Sequence, residues 1–127
     1  MEISIDEALN QGFEAQIAGQ KKEACNYYNF VLEQESKHPV ANHNMGLLKI
    51  SAGNTLEAMP YLSNALEANL NEARYWVSYI DALIGLRSIE DAKRMLNAAI
   101  ERGATGEPFQ KLKEKINQLS EKTYNLE

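Results

Sequence analysis

Two asparagines, Asn10 and Asn44, stand 34 residues apart in a chain of 127. Each carboxamide offers one acceptor and two donors, so asparagines repeated at a fixed spacing can hold an extended peptide backbone by paired hydrogen bonds. The other side chains capable of chemistry are sparse. His38 and His43 are separated by five positions with Pro39 between them, so they do not share a helix face as metal ligands would. His38 reads as a loop residue and His43 as a surface contact. Cys25 lies beside Ala24 and near Tyr28, where a half-buried thiol without a positioned base is expected. Tyr27, Tyr28, Tyr61, Tyr75 and Tyr79 suggest base stacking, but at helical spacing in an acidic chain they read as packing. The glycines are scattered singly and form no phosphate-cradling loop. These residue types predict binding, with no catalytic residue, no metal site and no cofactor.

What positions them is a repeat. Gly12, Gly19, Ala24, Tyr28, Val31 and Leu32 recur 34 residues on as Gly46, Gly53, Ala58, Leu62, Ala65 and Leu66. The alanine and its followers return once more as Ala92, Leu96, Ala99 and Ile100. A register held across three copies marks a repeat architecture, in which each unit buries its apolar face against its neighbours.

Composition narrows the class. A chain of this length makes one small domain able to bury roughly two thirds of its unfolded surface. The formal net charge of −5 and pI near 5.1 argue against duplex nucleic acid as a partner. No apolar run approaches the ~20 residues that span a bilayer, so no membrane partner is expected. The start, MEISIDEALNQ, is acidic and has no basic stretch leading into an apolar one, unlike a signal peptide. One cysteine cannot form an internal disulfide, which suits a reducing cytoplasm. The final Leu126-Glu127 carry no weight, since they have the look of cloning residues.

In chain order, Ser4-Ile5-Asp6-Glu7 predicts a capping box opening a first helix. There Ile5, Ala8, Leu9, Gly12, Phe13 and Ile17 recur at helical spacing, ending at Gly19. Its partner is expected from about Lys21 to Glu35, antiparallel across the short turn. His38-Pro39 opens a second pair, its first helix from about Pro39 to Ser51. Asn54 or Thr55 then caps a helix running to about Ala68, in which Pro60 forfeits one backbone bond and should kink or tighten the first turn. Asn71 is expected to cap the next helix, carrying Tyr75, Trp76, Tyr79, Ile80, Leu83 and Leu86. Ser88, with Asp91 three on, should cap its partner through about Glu101. A last helix from Pro108 to about Thr123 carries Phe109, Leu112, Ile116 and Leu119 on one stripe, as a cap needs. No strand signal occurs; the fold class is all-α.

These residues resemble the tetratricopeptide repeat family, whose unit is a 34-residue helix–turn–helix. Its helix A small residue matches Gly12 and Gly46, preceded by Met45; its large residue matches Trp76; its helix B alanine matches Ala24, Ala58 and Ala92. The following aromatic is Tyr28, then Leu62 and Leu96. The family's terminal proline is absent, the positions being Ser36, Leu70 and Ala104. Repeat three has Ile80 for the small glycine and Arg87 for the turn glycine, which bears on how tightly that hairpin closes. The resemblance implies a right-handed α-solenoid of three hairpins, at about 5–38, 39–72 and 73–106, plus a C-terminal capping helix at about 108–123, the whole of 1–127 being one domain.

The resemblance further implies a concave groove lined by the first helix of each pair. In repeat one its residues are Asp6, Leu9, Asn10 and Phe13. Repeat two adds Val40, His43, Asn44, Leu47 and Ile50, and repeat three adds Arg74, Val77, Ser78 and Asp81. Asn10 and Asn44 are similar to the ladder in the tetratricopeptide region of glycosyltransferases that add N-acetylglucosamine to serine and threonine. A clamp for the C-terminal carboxylate of chaperones fits less well: Asn44 and Arg74 match it, but Leu9, Phe13 and Ser78 hold the other positions. The apolar groove residues call for a covering partner: a peptide or protein, the chain's own last helix, or a second copy in a homodimer. The reading is a peptide-binding interaction scaffold that is not an enzyme. The run from Tyr75 to Ile84 is also similar to bacterial proteins in which such repeats precede a glycosyltransferase or sulfotransferase domain, which makes a substrate-recruiting fragment of a larger enzyme the alternative.

Overall fold

A computed structural model describes residues 2–125, so Leu126 and Glu127 lie outside the described residues. The described chain is helical throughout: α1 (Ile5–Ile17), α2 (Lys21–Gln34), α3 (Pro39–Ser51), α4 (Thr55–Ala68), α5 (Ala73–Gly85), α6 (Ile89–Glu101) and α7 (Glu107–Asn125). Consecutive helices pair as hairpins, α1 with α2, α3 with α4 and α5 with α6. The chain divides into two compact units, Met1–Asn69 and Leu70–Glu127.

The helix ends follow from local chemistry. Ser4 and Glu7 form the expected capping box, each side chain accepting from the other's backbone N–H at 3.1 Å. Asn54 and Ser88 precede their helices as expected, yet neither side chain caps. An N-cap side chain reaches the first turn from extended backbone, as at Ser4 (ψ 163°), whereas the tight turns hold Asn54 and Ser88 at ψ 56° and 65°. The start of α5 is shifted one residue from the expected Asn71 to Glu72. At α3 the cap is His38, whose Nδ1 accepts from the Ala41 N–H at 3.3 Å while Pro39 takes the first helical position. α4 runs unbroken from Thr55 to Ala68 through Pro60.

The turns repeat one design. After α1, the Gln20 N–H donates to the Ala15 carbonyl at 2.8 Å and the Gly19 N–H to Gln16 at 3.1 Å. The same two bonds recur from Asn54 to Lys49 and Gly53 to Ile50, then from Ser88 to Leu83 and Arg87 to Ile84. This closure needs a left-handed residue at its centre. Gly19 and Gly53 supply φ of 78° and 82°; Arg87 is forced to φ 63° in the third hairpin. The turn therefore closes normally without glycine, at the cost of a strained arginine.

In the first unit the hairpins meet through small residues. Ala8, Gly12 and Ala15 are the buried residues of α1. A methyl group on Gly12 would lie 2.7 Å from the Tyr28 ring, and one on Gly46 would lie 2.5 Å from Leu62 Cδ2. Tyr28 and Leu62 are themselves fully enclosed, so each aromatic or leucine on the second helix fills the hollow above a glycine. Phe13, expected on the open face, and Ile17 both point outward, 53% and 71% exposed. The helix is so close to its partner that only small side chains fit between them, and its larger ones are displaced to the open face.

A polar knot ties α3 to the loop before it. Asn42, fully buried, donates through Nδ2 to the carbonyls of Ser36 (3.1 Å) and His38 (2.9 Å), and its Oδ1 accepts from Asn64 at 3.3 Å. Thirty-four residues on, the Trp76 indole N–H donates to the Leu70 carbonyl at 2.8 Å. In the second unit Ile80 is wholly buried where the other hairpins have glycine, and α5 and α6 keep fewer close backbone approaches than the other two pairs. Phe109, Leu112 and Ile116 of α7 are buried, giving the expected stripe.

Two stability outcomes follow. Gly46→Leu should cost about 1–3 kcal/mol through overpacking against Leu62, while Gly85→Ala, which meets open space at the end of α5, should be neutral or slightly stabilising; urea unfolding of both variants distinguishes them. Arg87→Gly should relieve the left-handed residue and raise stability by up to about 1 kcal/mol in the same assay.

Candidate functional site

In the first unit, the residues that the sequence assigns to a groove fall into two groups. Phe13 on α1 and Val40 on α3 are exposed, Val40 by 38%, as are Asp6 and Asn10 on α1. Leu47, Ile50 and Leu9 are half-buried, Leu9 being packed against the clusters formed by Ala8, Val31 and Ala41 and by Ala15, Tyr28 and Met45. His43 departs from the expectation. It is 7% exposed, so its side chain belongs to the interior and does not line an open face. Its helix position, one residue from Asn42, places both on the buried side of α3.

Asn44 is half-buried and already engaged. Its side chain bonds to the Tyr28 hydroxyl, which in turn donates to Gln16 Oε1 at 2.6 Å. Burial of the Tyr28 ring pushes its pKa up to about 12, against the lowering effect of the Asn44 bond. Asn44 thus satisfies a buried phenol, and of the two asparagines only Asn10 is exposed. Cys25 is half-buried against the Ala15, Ala24 and Tyr28 cluster, as the sequence suggests.

In the second unit, Val77 and Ser78 are half-buried and Arg74 and Asp81 exposed on α5. The last helix comes to meet this face. Lys115 Nζ lies 2.9 Å from Asp81 Oδ1, and Val77, Asp81, Pro108, Lys111, Leu112 and Lys115 surround a cleft of about 410 Å³ between α5 and α7. Arg74 pairs with Glu72 at 3.2 Å.

Sequence reasoning passed over Asn42 and Asn64, whose mutual bond, with Lys37 donating to Asn64 at 2.9 Å, borders a second cleft beside Asn29, Glu33 and Tyr61. The only signal for Asn42 was its register with Trp76, a polar residue at a buried repeat position. Among the described residues no group of three or more His, Cys, Asp or Glu could hold a metal ion, and no helix is long and apolar enough to cross a membrane.

Helical hairpins of 34-residue period, glycine-hollowed first helices and a terminal helix with one apolar stripe define an α-helical repeat protein. The tetratricopeptide repeat profile matches residues 49–116, more than half of the chain, and the chain belongs to that family. Among solved structures, it is similar to the Sgt2 TPR domain from Aspergillus fumigatus (15% identity, TM-score 0.83, covering 95% of this chain and 82% of that one). It is also similar to the TPR2B domain of yeast Sti1 in its complex with pHsp70 (19%, 0.79, 90% and 96%). A third is the Yersinia enterocolitica type III secretion chaperone SycD in complex with a peptide of the translocator YopD (17%, 0.76, all of both chains). At these identities the likeness is one of fold. No curated protein matches the sequence.

The raised Tyr28 pKa sets a pH test. A phenol whose folded pKa lies above its unfolded value near 10 stabilises the fold fully below pH 10, and the contribution is lost as pH rises towards 12. Wild-type stability should therefore fall by about 2–3 kcal/mol more than that of Tyr28→Phe between pH 9 and 12, read by urea unfolding at each pH.

Proposed function

We propose that this chain is a protein-interaction scaffold, without chemistry of its own, that binds a peptide or partner segment against the exposed faces of its first helices. In the first unit the contact residues are Leu9, Asn10, Phe13, Val40, Asn44 and Leu47; in the second they are Arg74, Val77, Ser78 and Asp81. The observation that carries this reading is the outward placement of Phe13 and Val40 while alanines and glycines fill the helix interfaces behind them. Apolar side chains grouped on an open face gain by being covered.

Family membership supports the reading, since SycD is solved with a translocator peptide and the Sti1 domain with pHsp70. The first unit is the stronger candidate. Its apolar residues have no terminal helix of their own unit over them, whereas Val77 and Asp81 already border α7 and Asp81 is paired to Lys115. Within the first unit, Phe13 and Leu47 are better probes than Asn44, because removing Asn44 also strips a bond from buried Tyr28.

A photo-crosslinking residue placed at Leu47 should capture a defined partner from the native host, while the same residue at Glu33, exposed on α2, should not. Adding Phe13→Asp should abolish capture without changing the far-ultraviolet circular dichroism. Equal capture from both positions counts against the assigned face.

A further inference from the structure

Charge is distributed very unevenly along this chain. Residues 1–69 hold nine Asp and Glu against four Lys and Arg, and the remainder holds nine of each, so the whole formal charge of −5 belongs to the first unit. Within that unit no Lys or Arg precedes Lys21, whereas Glu2, Asp6, Glu7 and Glu14 do. Glu7 is consumed by the capping box. Asp6 and Glu14 are exposed, and among the described residues neither forms an ion pair.

Their placement matters more than their number. Asp6, Asn10, Phe13 and Ile17 follow at helical intervals along one exposed stripe of α1, with Glu14 at its border. The stripe therefore runs from a carboxylate and an amide to two of the most exposed large apolar side chains, Phe13 at 53% and Ile17 at 71%. Glu14 lies between the apolar pair in sequence and Asp6 two turns before it, so a segment laid along the whole stripe covers the pair and passes both carboxylates.

Resting on the scaffold reading above, we infer that the occupant of this face is a cationic amphipathic segment, with apolar side chains for Phe13 and Ile17 and Lys or Arg for Asp6 and Glu14. An acidic tail is disfavoured there. It would meet two unneutralised carboxylates on a unit that is already negative, and like charges brought together at an interface oppose binding. A second copy of this face is disfavoured for the same reason. The exposed position of the carboxylates also means that selection acts strongly on the encounter rate and weakens with salt.

The test uses the full chain and two synthetic peptides of equal length and Leu content, one carrying Lys and one Glu at the polar positions, titrated by calorimetry. The Lys peptide should bind roughly tenfold more tightly at low ionic strength, as two exposed ion pairs allow, and the preference should shrink at high salt. Asp6→Lys with Glu14→Lys should abolish that preference. Glu23→Lys with Glu33→Lys, the same change of net charge on exposed positions of α2, should retain it. Equal binding of both peptides, a preference for the Glu peptide, or equal loss in both charge variants overturns the cationic assignment. Loss of all binding in Phe13→Asp alongside any of those results leaves the scaffold reading standing; no binding of either peptide by the wild type overturns both.

Discussion

The distance between the two helices of a hairpin governs most of what this chain does. Where Gly12 lies under Tyr28 and Gly46 under Leu62, no space remains for even a methyl group. One large side chain per hairpin is enclosed by backbone, and dispersion contacts are made at the density of a crystal. The third hairpin reaches the same topology by the opposite route, burying Ile80 and letting the helices separate. Interlocking is therefore satisfied by complementary volume, small with large or large with wider spacing, and the 34-residue period keeps the two partners opposite each other.

That closeness has a consequence for the surface. With Ala8, Gly12 and Ala15 taking the interface of α1, its bulky residues have nowhere to go but outward. Phe13 and Ile17 are exposed because the core is built from small residues, and the open apolar face is a by-product of how the hairpin packs. In the second unit α7 takes up part of the equivalent demand through Leu112 and the Lys115–Asp81 pair. Among the described residues the first unit has no such helix, and it also holds the net negative charge. Apolar exposure and electrostatic bias thus coincide at α1.

The helices, their pairing and most of their ends were legible in the sequence, because glycine, proline and the alanine register are strong local signals. The failures have definite causes. Asn54 and Ser88 look like caps by residue type, but capping depends on a backbone angle that the tight preceding turn dictates. Ile17 falls in the same helical spacing as Ala8 and Gly12, and periodicity reports an apolar face without saying which of its members are small enough to be enclosed. His43 was assigned outward yet is interior, and half-buried Asn44 also bonds to a phenol twelve residues along from Gln16, a pairing no local pattern encodes.

Asn42 and Trp76 carry this point further. They share nothing as residue types, one a short amide and the other a large indole, and a comparison of types would treat the position as unconstrained. Both are buried at the same place in the 34-residue frame, and each sends a side-chain N–H to the carbonyl six residues upstream, Ser36 or Leu70. Those two carbonyls stand where the family's proline would end the repeat, at the bend between one hairpin and the next, outside any helix, where the side-chain N–H supplies a partner. What recurs at this position is a donor for the bend, and indole and carboxamide are two ways of providing it.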